Sequence, residues 1–198
     1  MNVQPSFGSL LIVCGPAGSG KTTLCDQLRA EFASVHRVVT TTSRQPRPGE
    51  VHGEDYHFLS PEEFRAGIDA GHFIEWAHVH GRYYGTAKKT ILDGLAAGKD
   101  LLLNIDVQGA DHYRTMAREN PVLAARLTTV FIELPSEDEL RKRLLERGTD
   151  DEAEIQRRLA SARREMEEAP KFDHRIVSST RRADYEAFRE IFLKRRRG

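Results

Sequence analysis

The stretch Leu10-Leu11-Ile12-Val13-Cys14-Gly15-Pro16-Ala17-Gly18-Ser19-Gly20-Lys21-Thr22-Thr23 opens on an apolar run, breaks into a glycine-rich turn, and continues into a segment where Leu24, Leu28 and Phe32 recur at helical spacing. The order is strand from Leu10 to Val13, loop, then helix from Lys21. Gly15 to Thr22 matches GxxxxGK[ST] at the place where that pattern has a mechanism. Its glycines let successive backbone N–H groups point at phosphate oxygens, and the helix N-terminus adds positive potential. Lys21 reaches toward β and γ oxygens, and the Thr22 hydroxyl is placed to ligate Mg²⁺. Gly15, Pro16, Ala17, Gly18, Ser19, Gly20, Lys21, Thr22 and Thr23 are therefore the expected seat of a nucleoside triphosphate.

Outward from this loop the chain keeps alternating. Residues 36–59 change to Thr, Arg, Pro, Gly and aromatic side chains, which suits short strands and turns and reads as an insertion with its own small sheet. Ser60-Pro61-Glu62-Glu63 is a capping box with proline at the first helical position, so a helix is expected from there to about Gly71, followed by a strand from Phe73 to Val79. A helix after Thr86 should stop at Gly98, and Leu101-Leu102-Leu103-Asn104-Ile105-Asp106 reads as one buried parallel strand. Next come a helix from about Gln108, a strand from Thr129 to Leu134, and a helix capped by Ser136 with Glu139 three residues on. A polar turn from Arg147, a charged helix from about Asp151 to Ala169, a strand from His174 to Val177 and a helix from about Ala183 follow. This alternation predicts an α/β fold of three layers, a central parallel sheet covered on both faces, with ligands at the carboxyl ends of strands. The loops after Val13, Ile105 and Leu134 then matter most.

Composition narrows the function classes. A chain of 198 residues, 39% apolar and 30% charged, is ordinary for one globular unit. Lys plus Arg equals Asp plus Glu at 30 each, so no overall field draws the molecule to nucleic acid or to a membrane surface. Residues 1–9 lack a basic leader pattern, and no apolar stretch reaches the roughly 18 residues of a membrane span. Cys14 and Cys25 lack CxxC spacing and imply no disulfide framework, which suits a cytoplasmic protein. His52, His57, His78 and His80 do not form a convincing metal-ligand set, and the run from Lys194 to Arg197 suits a helix C-terminus better than a nucleic-acid patch.

Two further segments carry the acceptor chemistry. Thr40-Thr41-Thr42-Ser43-Arg44-Gln45-Pro46-Arg47-Pro48-Gly49-Glu50 continues through Gly53, Asp55, Tyr56 and Phe58. Two arginines three apart in a proline-stiffened turn offer fork-shaped donors to a dianionic phosphate, and Tyr56 adds a hydroxyl without charge. The second segment is Phe73-Ile74-Glu75-Trp76, followed by Tyr83-Tyr84-Gly85-Thr86. With the phosphate loop, these segments resemble the signature of the guanylate kinase family over about residues 8–193.

That resemblance implies an enzyme of purine nucleotide metabolism, a kinase moving the γ-phosphoryl group of ATP, with Mg²⁺, onto GMP or dGMP. It carries Thr40, Arg44, Arg47, Glu50, Tyr56, Glu75, Tyr84, Thr86 and Asp106 into the GMP site. Guanine presents adjacent N1–H and N2–H donors beside an O6 acceptor, so the Glu75 carboxylate would accept two bonds while Thr40 and Thr86 donate to O6. Adenine presents the opposite pattern. Asp106 is similar in position to the family's aspartate that reaches the guanine amino group, while Tyr83 and Trp76 are expected to pack.

Phosphoryl transfer crowds negative oxygens together, so alignment and neutralisation should dominate catalysis. Arg143, Arg147 and Arg158 resemble the family's lid arginines and join Lys21 and Arg44 as the expected catalytic set. Their neighbours Arg141, Lys142, Arg157, Arg163 and Arg164 read as solvated helix faces. The implied architecture is a P-loop kinase with a core of about 8–39, 93–145 and 170–195, a GMP-binding subdomain of about 40–92 containing a small mixed sheet, and a lid of about 146–169. A monomer or homodimer fits it. The chain departs from the family pattern at three points: Asn104 stands where Asp or Glu is usual, Ser178-Ser179-Thr180 replaces Asn-Asp-Asp, and Thr40 replaces a common serine. Guanylate-kinase-like domains also serve as peptide-binding scaffolds, an alternative opposed by the presence of Lys21, Thr22, Arg44, Arg47 and Glu75.

Overall fold

The opening apolar run forms β1 (Leu10–Cys14), all five side chains of which are buried, and the glycine turn leads into α1 (Lys21–Glu31). Then follow β2 (Val35–Arg37), β3 (Thr41–Thr42), β4 (His57–Phe58), α2 (Pro61–Asp69), β5 (Phe73–Val79), β6 (Arg82–Ala87), α3 (Lys88–Ala96) and β7 (Asp100–Asn104). The remainder comprises α4 (Val107–Glu119), α5 (Pro121–Arg126), β8 (Leu127–Glu133), α6 (Glu137–Arg147), α7 (Glu152–Glu167), a 3₁₀ turn (Ala169–Lys171), β9 (His174–Val177) and α8 (Arg181–Arg197). The computed structural model describes residues 8–79, 81–147 and 152–197. His80, Gly148 and Thr149 lie outside the described residues, as do the side chains of Val79, Glu146, Arg147 and Arg197.

The main sheet has the strand order β2-β7-β1-β8-β9 and is parallel throughout. Because side chains alternate along a strand, β1 serves two cores at once. Leu10, Ile12 and Cys14 pack with Ile91 and Leu95 of α3, Ala110 and Tyr113 of α4 and Leu123 of α5. Leu11 and Val13 meet Leu24 and Leu28 of α1 and Phe188 and Phe192 of α8. Burial on both faces explains why β1 and β7 read as continuous apolar runs, and it gives the three layers expected from the sequence. The phosphate loop leaves the carboxyl end of central β1, where crevices open in doubly wound sheets.

The second sheet has the order β4-β3-β6-β5, with β3 and β4 parallel and the other pairs antiparallel. Helices α6 and α7 share a third cluster of Leu140, Leu144, Ile155, Leu159 and Ala162. Arg163 bonds Glu137 at 2.7 Å and Arg141 bonds Glu152 at 2.8 Å, so these two arginines link α6 to α7 rather than serving only as solvated face charges. Exposed pairs of this kind contribute little individually.

Several local expectations need correction. β6 was not anticipated; it pairs on both edges, and its Gly85 interrupts the strand pattern because a Cβ there would lie 2.7 Å from the Glu75 carbonyl oxygen. The six-residue α5 was also unforeseen, started by Pro121 with Asn120 Oδ1 accepting from Leu123 N at 3.0 Å. β7 ends at Asn104 rather than Asp106, which instead caps α4 by accepting from Gly109 N at 2.8 Å. α8 begins at Arg181, two residues early, where Thr180 Oγ1 accepts from Ala183 N at 3.2 Å. Trp76 is 43% exposed and packs only edge-on against Tyr83, whereas Tyr83 stacks on Phe64 with ring centroids 5.3 Å apart. The capping box of α2 forms as read, with Ser60 Oγ accepting from Glu63 N at 3.1 Å and Glu63 Oε2 from Ser60 N at 2.7 Å.

Candidate functional site

The phosphate loop is held by backbone geometry. Gly15 has φ 140° and packs so closely on β8 that a Cβ would lie 2.4 Å from the Ile132 carbonyl oxygen, while Gly20, the N-cap of α1, is left-handed at φ 94°. Ser19 N donates to Pro16 O at 3.1 Å, which closes the turn. Lys21 Nζ folds over it and donates to the carbonyls of Gly15 and, at 2.9 Å, Pro16. Its ammonium is thus already at the loop. Cys14 stays protonated, because burial pushes its thiol up to about 12; it donates to the Asp106 carbonyl at 3.4 Å and so links the end of β1 to the start of α4.

A cleft of about 650 Å³ opens beside the start of α1, lined by Thr22, Arg37 and Asn104 from the main-sheet layers and by Thr40, Asp55 and Tyr56 from the segments flanking β3 and β4. Residue 44 is aimed by local bonds: Thr42 Oγ1 donates to Tyr83 O at 2.9 Å and accepts from Arg44 N at 3.1 Å. The Arg44 side chain bonds Glu50 at 2.8 Å and the Gln45 carbonyl at 2.7 Å, and its guanidinium lies 5.5 Å from the Tyr56 ring centroid. The Tyr84 ring meets that of Tyr56 edge-on, with centroids 6.3 Å apart. Glu50 is held below the ordinary carboxylate range by its bond to Arg44 and by Arg47 N, which donates at 2.7 Å. Arg44, Glu50, Tyr56 and Tyr84 therefore share one cluster, while Arg47 joins it through its backbone and is itself exposed.

Deeper along β5 and β6, Glu75 and Thr86 are register partners, and Thr86 Oγ1 donates to Glu75 Oε1 at 2.6 Å. Burial pushes the Glu75 carboxyl above its ordinary range; the Thr86 bond opposes this and the Asp106 charge adds to it. Asp106 lies close enough to be felt there, yet one of its oxygens is committed to the cap of α4.

On the other side of the phosphate loop, Arg143 bonds Glu139 at 2.8 Å, the Ser178 hydroxyl at 3.2 Å and the Gly18 carbonyl at 3.4 Å. Ser178 is buried and donates to Asp184 at 2.8 Å. A cavity of about 440 Å³ opens there, lined among others by Gly18, Gln27, Arg143, Ser178 and Arg181. Arg158, on α7, bonds Glu154 at 3.0 Å. The side chain of Arg147 lies outside the described residues.

The family model described as guanylate kinase matches residues 8–195. The chain belongs to the guanylate kinase family. It is 46% identical to a guanylate kinase of Nitratidesulfovibrio vulgaris over 94% of this chain and 87% of that protein, and 47% identical to one of Dechloromonas aromatica over 86% and 81%. The crystal structure of guanylate kinase from Anaplasma phagocytophilum superposes with a TM-score of 0.68 at 29% identity, covering 96% of this chain and 87% of that one.

Within this guanylate kinase fold, three residues near the site escaped sequence reasoning. Asp184 clamps Ser178 and Ser179; its acidic position in the first turn of α8 was a visible signal, but the partner strand was not. Glu165 on α7 is pushed up mainly by burial and feels Lys21 across the fold, which no local pattern announces. Tyr113 sits among apolar residues at helical spacing and looks like ordinary core.

Proposed function

We propose that this chain catalyses transfer of the γ-phosphoryl group of ATP to GMP, giving ADP and GDP. The observation that carries the reading is the shared cleft. Thr22 of the donor loop and Thr40 and Tyr56, which lead into β3 and β4 of the second sheet, line the same 650 Å³ space, so a triphosphate and an acceptor monophosphate can meet in it. Gly15 to Thr23 would cradle ATP, with Lys21 exchanging its loop carbonyls for β and γ oxygens.

On the acceptor side, Arg44 and Arg47 would bind the GMP phosphate with the hydroxyls of Tyr56 and Tyr84, and Glu50 would keep Arg44 in place. Glu75 would accept the guanine N1–H and N2–H, Thr86 and Thr40 would serve O6, and Asp106 would approach the amino group. Arg143, Arg147 and Arg158 would close over the transferring group, carried by the separately packed α6–α7 pair. This assigns about residues 40–92 to acceptor binding, about 146–169 to the lid and about 8–39, 93–145 and 170–195 to the core.

A magnesium ion suits the donor set. Among the described residues no group of three or more His, Cys, Asp or Glu could hold a metal alone, but Mg²⁺ borne by a triphosphate needs few protein ligands, and the exposed Thr22 hydroxyl at the start of α1 would be one. Bound there, Mg²⁺ would neutralise developing charge on the β and γ oxygens.

A coupled assay with ATP, Mg²⁺ and each monophosphate tests the reading. GMP should lead, with dGMP behind it and AMP, CMP and UMP slower by at least about a hundredfold. Equal rates with AMP would sink the base-reading part, and no transfer to any monophosphate would sink the whole.

A further inference from the structure

Helix α4, which carries the buried phenol of Tyr113, packs against β5, the strand that carries Glu75. Tyr113 is fully buried, in one apolar core cluster with Ile91, Leu103 and Phe131. Its hydroxyl makes no hydrogen bond of good geometry. A phenylalanine would fill the same space, and buried hydroxyls are rarely left unsatisfied. The polar groups that bear on this phenol are Thr86 and Glu75, and burial raises it far enough to remain a donor at any working pH.

Hydrogen-bond capacity allows an arrangement in which both hydroxyls are satisfied. Thr86 Oγ1 has one proton and two lone pairs, and it sends the proton to Glu75. Its oxygen can still accept. When the Glu75 carboxylate turns to guanine N1–H and N2–H, the Thr86 proton needs a direction.

We propose that Tyr113 is a positioning residue for guanine recognition, donating its O–H to Thr86 Oγ1 so that the Thr86 proton is committed to guanine O6. The chain Tyr113 to Thr86 to O6 gains because a hydroxyl that accepts one bond donates the next more strongly. This inference rests on the assignment of Glu75 and Thr86 to the base.

Tyr113→Phe keeps the ring and removes one oxygen. Steady-state kinetics should show KM for GMP raised about three- to tenfold with KM for ATP unmoved, the scale of one lost hydrogen bond. The upward shift of the unfolding midpoint produced by GMP should shrink in step, while that produced by ATP should not. In a Thr86→Val background the same substitution should have little further effect, since the route through Thr86 is gone. An unchanged KM for GMP, an equal rise in both KM values, or full additivity with Thr86→Val would each overturn the proposal. Glu75→Gln measured in parallel separates the failures: unchanged GMP-over-AMP discrimination there removes the base assignment itself, whereas lost discrimination with a silent Tyr113→Phe removes only Tyr113.

Discussion

The donor and acceptor halves of the site are built on opposite plans. The donor half is local: nine consecutive residues from Gly15 to Thr23, shaped by positive φ at Gly15, Gly18 and Gly20 and bonded largely through backbone groups. The acceptor half gathers side chains from β3, β5, β6 and the turn between β3 and β4, and sets a half-buried carboxylate on the Glu75–Thr86 pair. Backbone N–H groups recognise phosphate and are indifferent to the base attached, so the local plan gives affinity without choice. A carboxylate that must be desolvated gives choice, because a base with the wrong donors leaves it unpaired.

The sharpest way to separate the halves is Lys21→Ala. It should lower kcat by about a thousandfold or more, since a preorganised charge at the transferring phosphates is lost. GMP should still raise the unfolding midpoint, because no acceptor side chain is touched. Loss of that GMP shift, measured by thermal denaturation, would show that the two halves are not independent.

Glu75→Gln comes next in size. GMP-over-AMP discrimination in kcat/KM should fall about ten- to a hundredfold, because the amide presents a donor where the base also donates. Stability should move the other way. The folded-state pKa of Glu75 is raised chiefly by burial, so its stabilising contribution is present below the unfolded pKa and is lost as pH rises through the folded value. At neutral pH the charged side chain is therefore a burden on the fold. The Gln variant should unfold at a higher temperature than the parent near pH 7, and this advantage should disappear near about pH 4. KM for GMP in the parent should rise on acidification as the carboxylate protonates, and the variant should lack that limb.

The same contrast explains what could be read from the chain beforehand. The phosphate loop and the Ser60 capping box are local patterns, and both stand in the structure where their residues place them, as does most of the alternation of strands and helices. β6 was missed because its glycine answers a neighbour's carbonyl, not its own strand. Arg44 was marked as a phosphate binder, but its clamp by Glu50 and its stacking over Tyr56 depend on how the turn folds back. Tyr113 was invisible as anything but core because its distinguishing feature is one unpartnered buried oxygen, acted on by Thr86 and Glu75 from two other elements. Patterns report what an element does for itself; contacts between elements carry the rest.

The smallest expected effect probes such a contact on the donor side. Ser178 accepts from Arg143 and donates to Asp184, and residues 143 and 178 meet only through the tertiary fold. Ser178→Ala removes both bonds but leaves Asp184 its bond from Ser179 N at 2.8 Å, so the start of α8 should hold, with a stability loss of about 1 kcal/mol in denaturant unfolding. Arg143 keeps Glu139 and would be less closely directed at the Gly18 side of the phosphate loop. KM for ATP should rise about two- to fivefold with KM for GMP unmoved, and Ser178→Thr, which retains the hydroxyl, should recover most of the difference. A change in KM for GMP instead would mean that Arg143 serves the acceptor, and the division between a base-blind donor half and a discriminating acceptor half would have to be redrawn through the α6–α7 pair.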